Sequence, residues 1–163
     1  MMLLTKLAVA QNTRAAGELS GAKTTTIYLI RHAEKADNSK DTNLSEMGLM
    51  RASHWDDVFS AIQFDAIYST NYNRTLQTAA PTALKQKVTV TIYDPKEMNF
   101  GKIKKEHSGQ TILIVGHSNT IPDLVNKITG ENVYPNIEET TFGNLYIVTV
   151  NGEIVNHQLL KSL

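Results

Sequence analysis

The sequence predicts an α/β fold: three α/β/α layers around a mostly parallel central sheet, with an antiparallel hairpin at the C-terminal edge. Three observations predict it. Residues 26–30 (TIYLI) and 111–115 (TILIV) are short, β-rich and apolar on both faces, as strands covered on both sides must be. Strand-like runs then alternate with helix-like segments, the order that builds parallel crossover units. Near the end, Asn151-Gly152 separates two strand-like segments, a signal for a type I′ hairpin.

The elements follow in order. Residues 25–31 form the first strand, and the polar stretch 32–42 reads as a loop at its carboxyl end. Leu44-Ser45 opens a helix with Ser45 as N-cap, and Met47, Met50, Trp55, Val58, Phe59 and Ile62 make its apolar stripe. These methionines and the tryptophan are expected in the core. Gly48 in the first turn lowers helix propensity, which predicts close packing there. Residues 64–69 are the second strand, and a helix follows over 73–84, with Pro81 expected to kink or end it.

Residues 88–93 (VTVTIY) are a β-branched third strand closed by Asp94-Pro95, and 96–109 hold a short helix. Residues 110–116 are the fourth strand. A helix over 118–128 tolerates Pro122 in its first turns and ends at Gly130. A loop over 131–142 leads to the hairpin strands 144–150 and 153–159.

Composition sets bounds. The 163 residues suffice for one domain over 24–163 with a sizeable core. Sixteen basic and sixteen acidic residues cancel, so nothing favours nucleic acid as a partner, and attraction for anions must be local. The absence of cysteine excludes a disulfide framework, a thiolate zinc site and a cysteine nucleophile. No run reaches the length of a membrane span.

Residues 1–23 read as a lead-in. Leu3, Leu4, Leu7, Ala8 and Val9 resemble a signal-peptide remnant, but the apolar region is short and broken by Lys6. A cytoplasmic location is favoured, with a periplasmic or secreted one as the alternative. The oligomeric state is not legible.

The chemistry sits at two strand ends. The first strand ends on Arg31-His32 and the fourth on Gly116-His117. In open parallel sheets, ligands lie beyond the carboxyl ends of the strands. If the two strands are neighbours, both histidines face one site. An imidazole is a nucleophile near neutral pH. Arginine is always charged and grips phosphate through paired N–H groups. Each such charge-assisted hydrogen bond is worth roughly 1.5–3 kcal/mol. Arg31, Arg74 and a protonated His117 could therefore hold a phosphoryl group without a metal. Ser118 would add a backbone N–H at a helix start.

The motifs carry a resemblance. Arg31-His32-Ala33-Glu34 resembles the Arg-His-Gly signature of the histidine phosphatase superfamily, the phosphoglycerate mutase-like proteins. Leu44-Ser45-x-x-Gly48-x-x-Arg51-Ala52 resembles its helix entry. Ser69-Thr70 followed by Arg74-Thr75-x-x-Thr78-Ala79 resembles its second helix, and Val115-Gly116-His117-Ser118 its Gly-His motif. Ala33 stands where glycine is usual, as in short Arg-His-Ala-Glu phosphatases.

The resemblance implies a phosphoglycerate mutase-like fold, no cofactor and no metal. It implies His32 as the phosphorylated nucleophile, Arg31 and Arg74 on the phosphoryl oxygens, and His117 completing the pocket. It also implies a carboxylic acid that protonates the leaving group. Asp94, at a strand's carboxyl end, is the first candidate, with Glu97 second.

Blander readings compete. A lone histidine is usually structural; the adjoining arginine and the second histidine-ended strand turn that around for His32. Glu34 is expected to orient the loop or form an ion pair. His54, His107 and His157 are expected on the surface. A metal site of His32, His117 and Asp94 is disfavoured, because two arginines would repel the cation. The Asn43 and Asn73 sequons read as chance. The short chain favours a phosphatase over a mutase, which needs segments that retain its product. A non-catalytic phosphate-binding module is the alternative of another class. The expected partner is a small phosphorylated substrate or a phosphohistidine protein. Specificity is expected in loops 33–43, 94–109 and 131–142, with Lys35, Lys40, Lys96, Lys102, Lys104 and Lys105 as candidate anion contacts.

Overall fold

The computed structural model describes residues 23–162. The lead-in and its signal-peptide reading thus lie, but for Lys23, outside the described residues. Ten elements follow one another: β1 (Thr25–Arg31), α1 (Glu46–Val58), β2 (Ala66–Ser69), α2 (Asn73–Gln86), β3 (Val90–Ile92), α3 (Phe100–Glu106), β4 (Thr111–Gly116), α4 (Thr120–Thr129), β5 (Asn144–Asn151) and β6 (Ile154–Lys161). The strands form one sheet in the order β3-β2-β4-β1-β5-β6. The first four are mutually parallel, and β5 and β6 pair antiparallel at one edge.

Strand alternation divides the core into two layers. Ile27 and Leu29 of β1 and Ile112 and Ile114 of β4 join Ile103 of α3 and Ile121, Leu124, Val125 and Ile128 of α4. Ile30, Leu113 and Val115 point the other way, toward Trp55 and Phe59 beside Ala79 and Ala83 of α2. Both faces of β1 and β4 are therefore buried, which is why their sequences are apolar throughout. Trp55 stacks on Phe59, and Phe59 meets Phe64 edge-on, with ring centroids 5.7 and 5.2 Å apart.

Helix α1 begins as its sequence demands, with Ser45 Oγ accepting from Gly48 N at 3.1 Å. Its buried face differs from the predicted stripe. Gly48, Ala52 and Trp55 are buried, whereas Met47 and Met50 are 59% and 62% exposed, and Val58 is exposed as well. A Cβ at Gly48 would collide with the Glu34 carbonyl. That close approach fixes the rotation of the helix, so the small residues face inward and the methionines face solvent.

Three further expectations need correction. Helix α2 neither ends nor breaks at Pro81 but continues to Gln86, with Lys87 as a left-handed cap at φ 58°. The hairpin turn is shifted by one residue, because Asn151 still pairs with Ile154. The loop is Gly152-Glu153, and Gly152 alone has positive φ, 62°, so the turn lacks the two positive φ values of type I′. His107 is only 9% exposed, between Tyr68 Oη (2.7 Å) and Gln110 Oε1 (2.6 Å). His157 is also half-covered, with Tyr134 Oη 2.8 Å from its Nδ1, while His54 is exposed as expected.

Candidate active site

β1 and β4 are neighbours, in register with Arg31 opposite Gly116. His32 N donates to Gly116 O at 2.9 Å, extending the ladder by one step. The next residues, His32 and His117, leave the sheet side by side, with ring centroids 5.5 Å apart. They line a cavity of about 550 Å³ at the carboxyl edge of the sheet, together with Arg31, Thr70, Tyr72, Arg74 and Asp94.

The His32 ring is fixed by its own backbone. Nδ1 lies 2.7 Å from Ala33 O, which can only accept, so Nδ1 carries the proton and Nε2 keeps its lone pair. Ala33 N in turn donates to Thr78 Oγ1 at 2.9 Å, and Thr78 Oγ1 donates to Arg74 O at 2.7 Å. The turn after β1 is thereby pinned to α2. Burial, reinforced by the charges of Arg31, His117 and Arg74, pushes His32 down to about 3, against the backbone hydrogen bond from Ala33. The ring is neutral at neutral pH.

His117 is held from two sides. Nε2 is 2.9 Å from Thr70 Oγ1, whose own proton goes to Thr75 Oγ1 at 3.0 Å. Nε2 is therefore the donor, and Nδ1 faces Arg74 Nη2 at 3.5 Å. Burial first, then Arg74 and Arg31, lower His117 to about 4, so the ring is neutral at neutral pH and not the protonated histidine expected from the sequence. Tyr72 meets the His117 ring edge-on at 5.2 Å and lies beneath the Arg74 guanidinium, 4.4 Å from its Cζ. Arg74 Nη1 donates to Lys40 O at 3.0 Å.

Arg31 is the most enclosed charge, 2% exposed, with its Cζ 4.4 Å over the Phe142 ring. Nη1 donates to the carbonyls of Glu138, Glu139 and Thr141 at 2.9, 3.1 and 3.0 Å. Nη2 reaches Glu139 Oε2 at 3.0 Å. Burial lowers its affinity for its proton, and Glu139 opposes that shift. Arg31 Nε and Arg74 Nε are buried donors with no hydrogen-bond partner among the described residues. A buried and a half-buried guanidinium, each with a buried Nε to spare, make the cavity a place for an anion.

The structure thus gathers Arg31, His32, Arg74 and His117 in one cavity. Asp94 lines it too, although its carboxylate is exposed and its Oδ1 accepts from Lys96 N at 2.9 Å. Glu97 lies in a separate depression with Tyr68 and Tyr93. Ser118 lines the cavity, but α4 starts only at Thr120, so Ser118 sits in the turn before the helix. Its backbone N–H is therefore not the first-turn donor expected of it. Glu34 forms an ion pair, receiving Arg51 Nε at 2.8 Å on one carboxylate oxygen and 3.0 Å on the other. All three expected rim loops contribute, with Lys35 and Lys40 from the first, Lys96 from the second and Glu139 from the third. Lys102, Lys104 and Lys105 do not line the cavity.

Sequence reasoning missed Thr70, Tyr72 and Glu139. Thr70 was within reach, since it follows the last residue of a parallel strand. Glu139 was not, because 108 residues separate it from Arg31.

Residues 27–104 match the model of the histidine phosphatase superfamily, branch 1, a span just under half of the chain that includes Arg31, His32 and Arg74. No curated protein matches the sequence. Solved structures share the fold at low identity. YhfR of Bacillus stearothermophilus is 18% identical with a TM-score of 0.70, over 85% of this chain and 98% of that one. The α-ribazole phosphatase of Shigella flexneri is 17% identical with a TM-score of 0.66, over 84% and 96%. The mycobacterial glucosyl-3-phosphoglycerate phosphatase is 13% identical with a TM-score of 0.62, over 85% and 98%. Over residues 27–104 the chain is thus similar to the histidine phosphatase superfamily, and its fold is shared by solved phosphatases.

Proposed function

We propose that this chain is a metal-independent phosphomonoesterase that works through a phosphohistidine on His32. His32 Nε2 attacks phosphorus, and the bond from phosphorus to the leaving oxygen breaks. The leaving oxygen takes a proton from the Asp94 carboxylic acid. Water then attacks phospho-His32, gives its proton to the Asp94 carboxylate, and inorganic phosphate departs as the N–P bond breaks. Arg31 and Arg74 hold the phosphoryl oxygens through both steps while the neutral His117 completes the pocket beside Arg74, and the two arginine charges matter most where negative charge builds up. Ser118, at the cavity wall, completes the phosphate-binding set.

One observation carries this reading. The hydrogen bond from His32 Nδ1 to Ala33 O leaves Nε2 as the only free lone pair of a neutral ring, in a cavity it shares with two arginines. A ring without its proton is a nucleophile, and buried cations beside it favour a phosphoryl group over a metal ion. The substrate class is a small phosphomonoester. Lys35, Lys40 and Lys96 on the rim suit a leaving group with further negative charge. A phosphohistidine on a protein is the other substrate that fits an open cavity.

The test is hydrolysis of p-nitrophenyl phosphate with EDTA present, comparing the wild type with His32→Ala. Activity that survives EDTA and vanishes in the variant is expected. Loss with EDTA would show a metal requirement. Phosphate binding with no turnover of any phosphomonoester would leave a binding module.

A further inference from the structure

Arg31 has five N–H donors, and the loop that follows α4 takes most of them. Both Nη1 protons go to backbone carbonyls of residues 138, 139 and 141. An incoming anion can therefore approach only through Nη2 and Nε, the pair on one edge of the guanidinium. Two parallel N–H groups on one edge are what a phosphoryl group grips. Nε is buried and has no partner among the described residues. Nη2, however, already holds the Glu139 carboxylate at 3.0 Å.

The two partners are unequal. The Arg31 side chain is 2% exposed, packed over Phe142 and fixed by three carbonyls, whereas that of Glu139 is 75% exposed. Among the described residues, the Glu139 carboxylate contacts, beyond Arg31, Ser118 Oγ at 3.4 Å, near the limit of a hydrogen bond. Arginine is the fixed member of the pair and the carboxylate the movable one. Arg74 differs, since its contacts among the described residues are a backbone carbonyl, the Tyr72 ring and His117.

We infer that the Glu139 carboxylate competes with the phosphoryl group for Arg31 Nη2 and thereby lowers the anion affinity of the site. The inference rests on the reading of Arg31 as a phosphoryl ligand. It makes chemical sense for turnover. Two arginines in a low-dielectric pocket would hold the product phosphate tightly, and a tethered carboxylate beside them speeds its exit. The tether also keeps the buried Arg31 charge neutralised when phosphate leaves. An exposed carboxylate paired with a buried arginine competes modestly, and the expected effect is a change of roughly three- to tenfold in anion affinity.

The experiment measures binding of inorganic phosphate to the full chain by titration calorimetry. It compares the wild type, Glu139→Gln and Glu138→Gln. Glutamine keeps the size of Glu139 and removes its charge. Glu138 reaches Arg31 only through its backbone carbonyl, so Glu138→Gln removes the same charge one residue away. The expected result is phosphate binding three- to tenfold tighter in Glu139→Gln, and within about twofold of wild type in Glu138→Gln. With p-nitrophenyl phosphate, kcat of Glu139→Gln is expected to be no higher than wild type, because the product phosphate leaves more slowly.

Equal or weaker phosphate binding in Glu139→Gln would overturn the inference. So would equal tightening in both variants, which would make the effect one of net charge. A fall in kcat with unchanged phosphate affinity would overturn it too, making Glu139 a proton-transfer group. Binding needs no turnover, so the inference and the phosphatase reading can fail separately. Tighter binding in Glu139→Gln with no hydrolysis in any protein would support the inference and remove the phosphatase reading. Failure of all three proteins to bind phosphate would remove Arg31 as an anion ligand, and the inference with it.

Discussion

The hydroxyl of Thr78 lies 2.9 Å from the backbone nitrogen of Ala33, and through this hydrogen bond α2 holds the turn that aims His32. Ala33 is also the residue whose carbonyl fixes the His32 tautomer. The Thr78 side chain is 1% exposed, so no water can replace it. Thr78→Val keeps the branched shape and removes the acceptor. It is expected to cost about 1–3 kcal/mol in chemical denaturation, the usual penalty for a stranded buried N–H. It should also lower kcat by roughly tenfold or more, because a misaimed nucleophile loses its near-attack geometry. Normal kcat in a destabilised variant would show that Thr78 only supports the fold.

Both site histidines should make the protein sensitive to acid. Their folded values are about 3 and about 4, against 6.5 for a free ring. Below 6.5 the unfolded chain binds protons that the folded chain refuses. The stabilisation is therefore complete above pH 6.5 and is lost as pH falls toward the folded values. At pH 5 the loss is about 2 kcal/mol for each ring, a figure set by the unfolded value alone. Denaturation curves at pH 7 and pH 5 check this. His32→Asn should show a smaller drop in stability than the wild type, and an equal drop would contradict the assigned cause.

Much of this site was legible from the sequence, and the boundary of what was legible has physical causes. Runs apolar on both faces mark buried parallel strands, so β1 and β4 and the histidines that follow them could be located directly. Strand register was legible only by analogy, yet it is what brings His32 against His117. The rotation of α1 was hidden, because it is fixed by a collision between Gly48 and the Glu34 carbonyl that sequence periodicity does not contain. Pro81 misled in the same way, since the tertiary packing of Ala79, Thr82 and Ala83 carries α2 past it. Glu139 meets Arg31 only through the path of a loop without regular structure, and such paths leave no periodic trace.

The pairing of Arg74 with His117 predicts a measurable shift. Arg74 is the larger of the two charges that lower His117, after burial. Arg74→Gln should therefore raise the His117 value, while burial keeps it below 6.5. Titration of the ring by nuclear magnetic resonance checks the direction. Arg74→Lys should leave the value low but weaken phosphate binding, because a point charge cannot make the paired contact.

The leaving-group acid can be tested through the leaving group itself. Asp94→Asn should slow phenyl phosphate by about 10²–10⁴ and p-nitrophenyl phosphate far less, since p-nitrophenolate departs without a proton. Equal slowing of both would remove Asp94 as the leaving-group acid and leave it at most the base of the second step.

Helix α1 offers a test of the fold that supports the site. Gly48→Ala places a methyl group against the Glu34 carbonyl and should cost roughly 1–3 kcal/mol. The same shift should loosen the ion pair of Glu34 with Arg51. An unchanged denaturation midpoint would show that the loop yields freely.

The measurement that bears most directly on the central claim is the mass of the protein caught during turnover. Quenching p-nitrophenyl phosphate hydrolysis at alkaline pH preserves a phosphoramidate, and peptide mapping locates it. The account predicts one phosphoryl group on His32, lost on brief acid treatment and absent from His32→Ala. A phosphoryl group on any other residue, or undiminished turnover by His32→Ala, would contradict it.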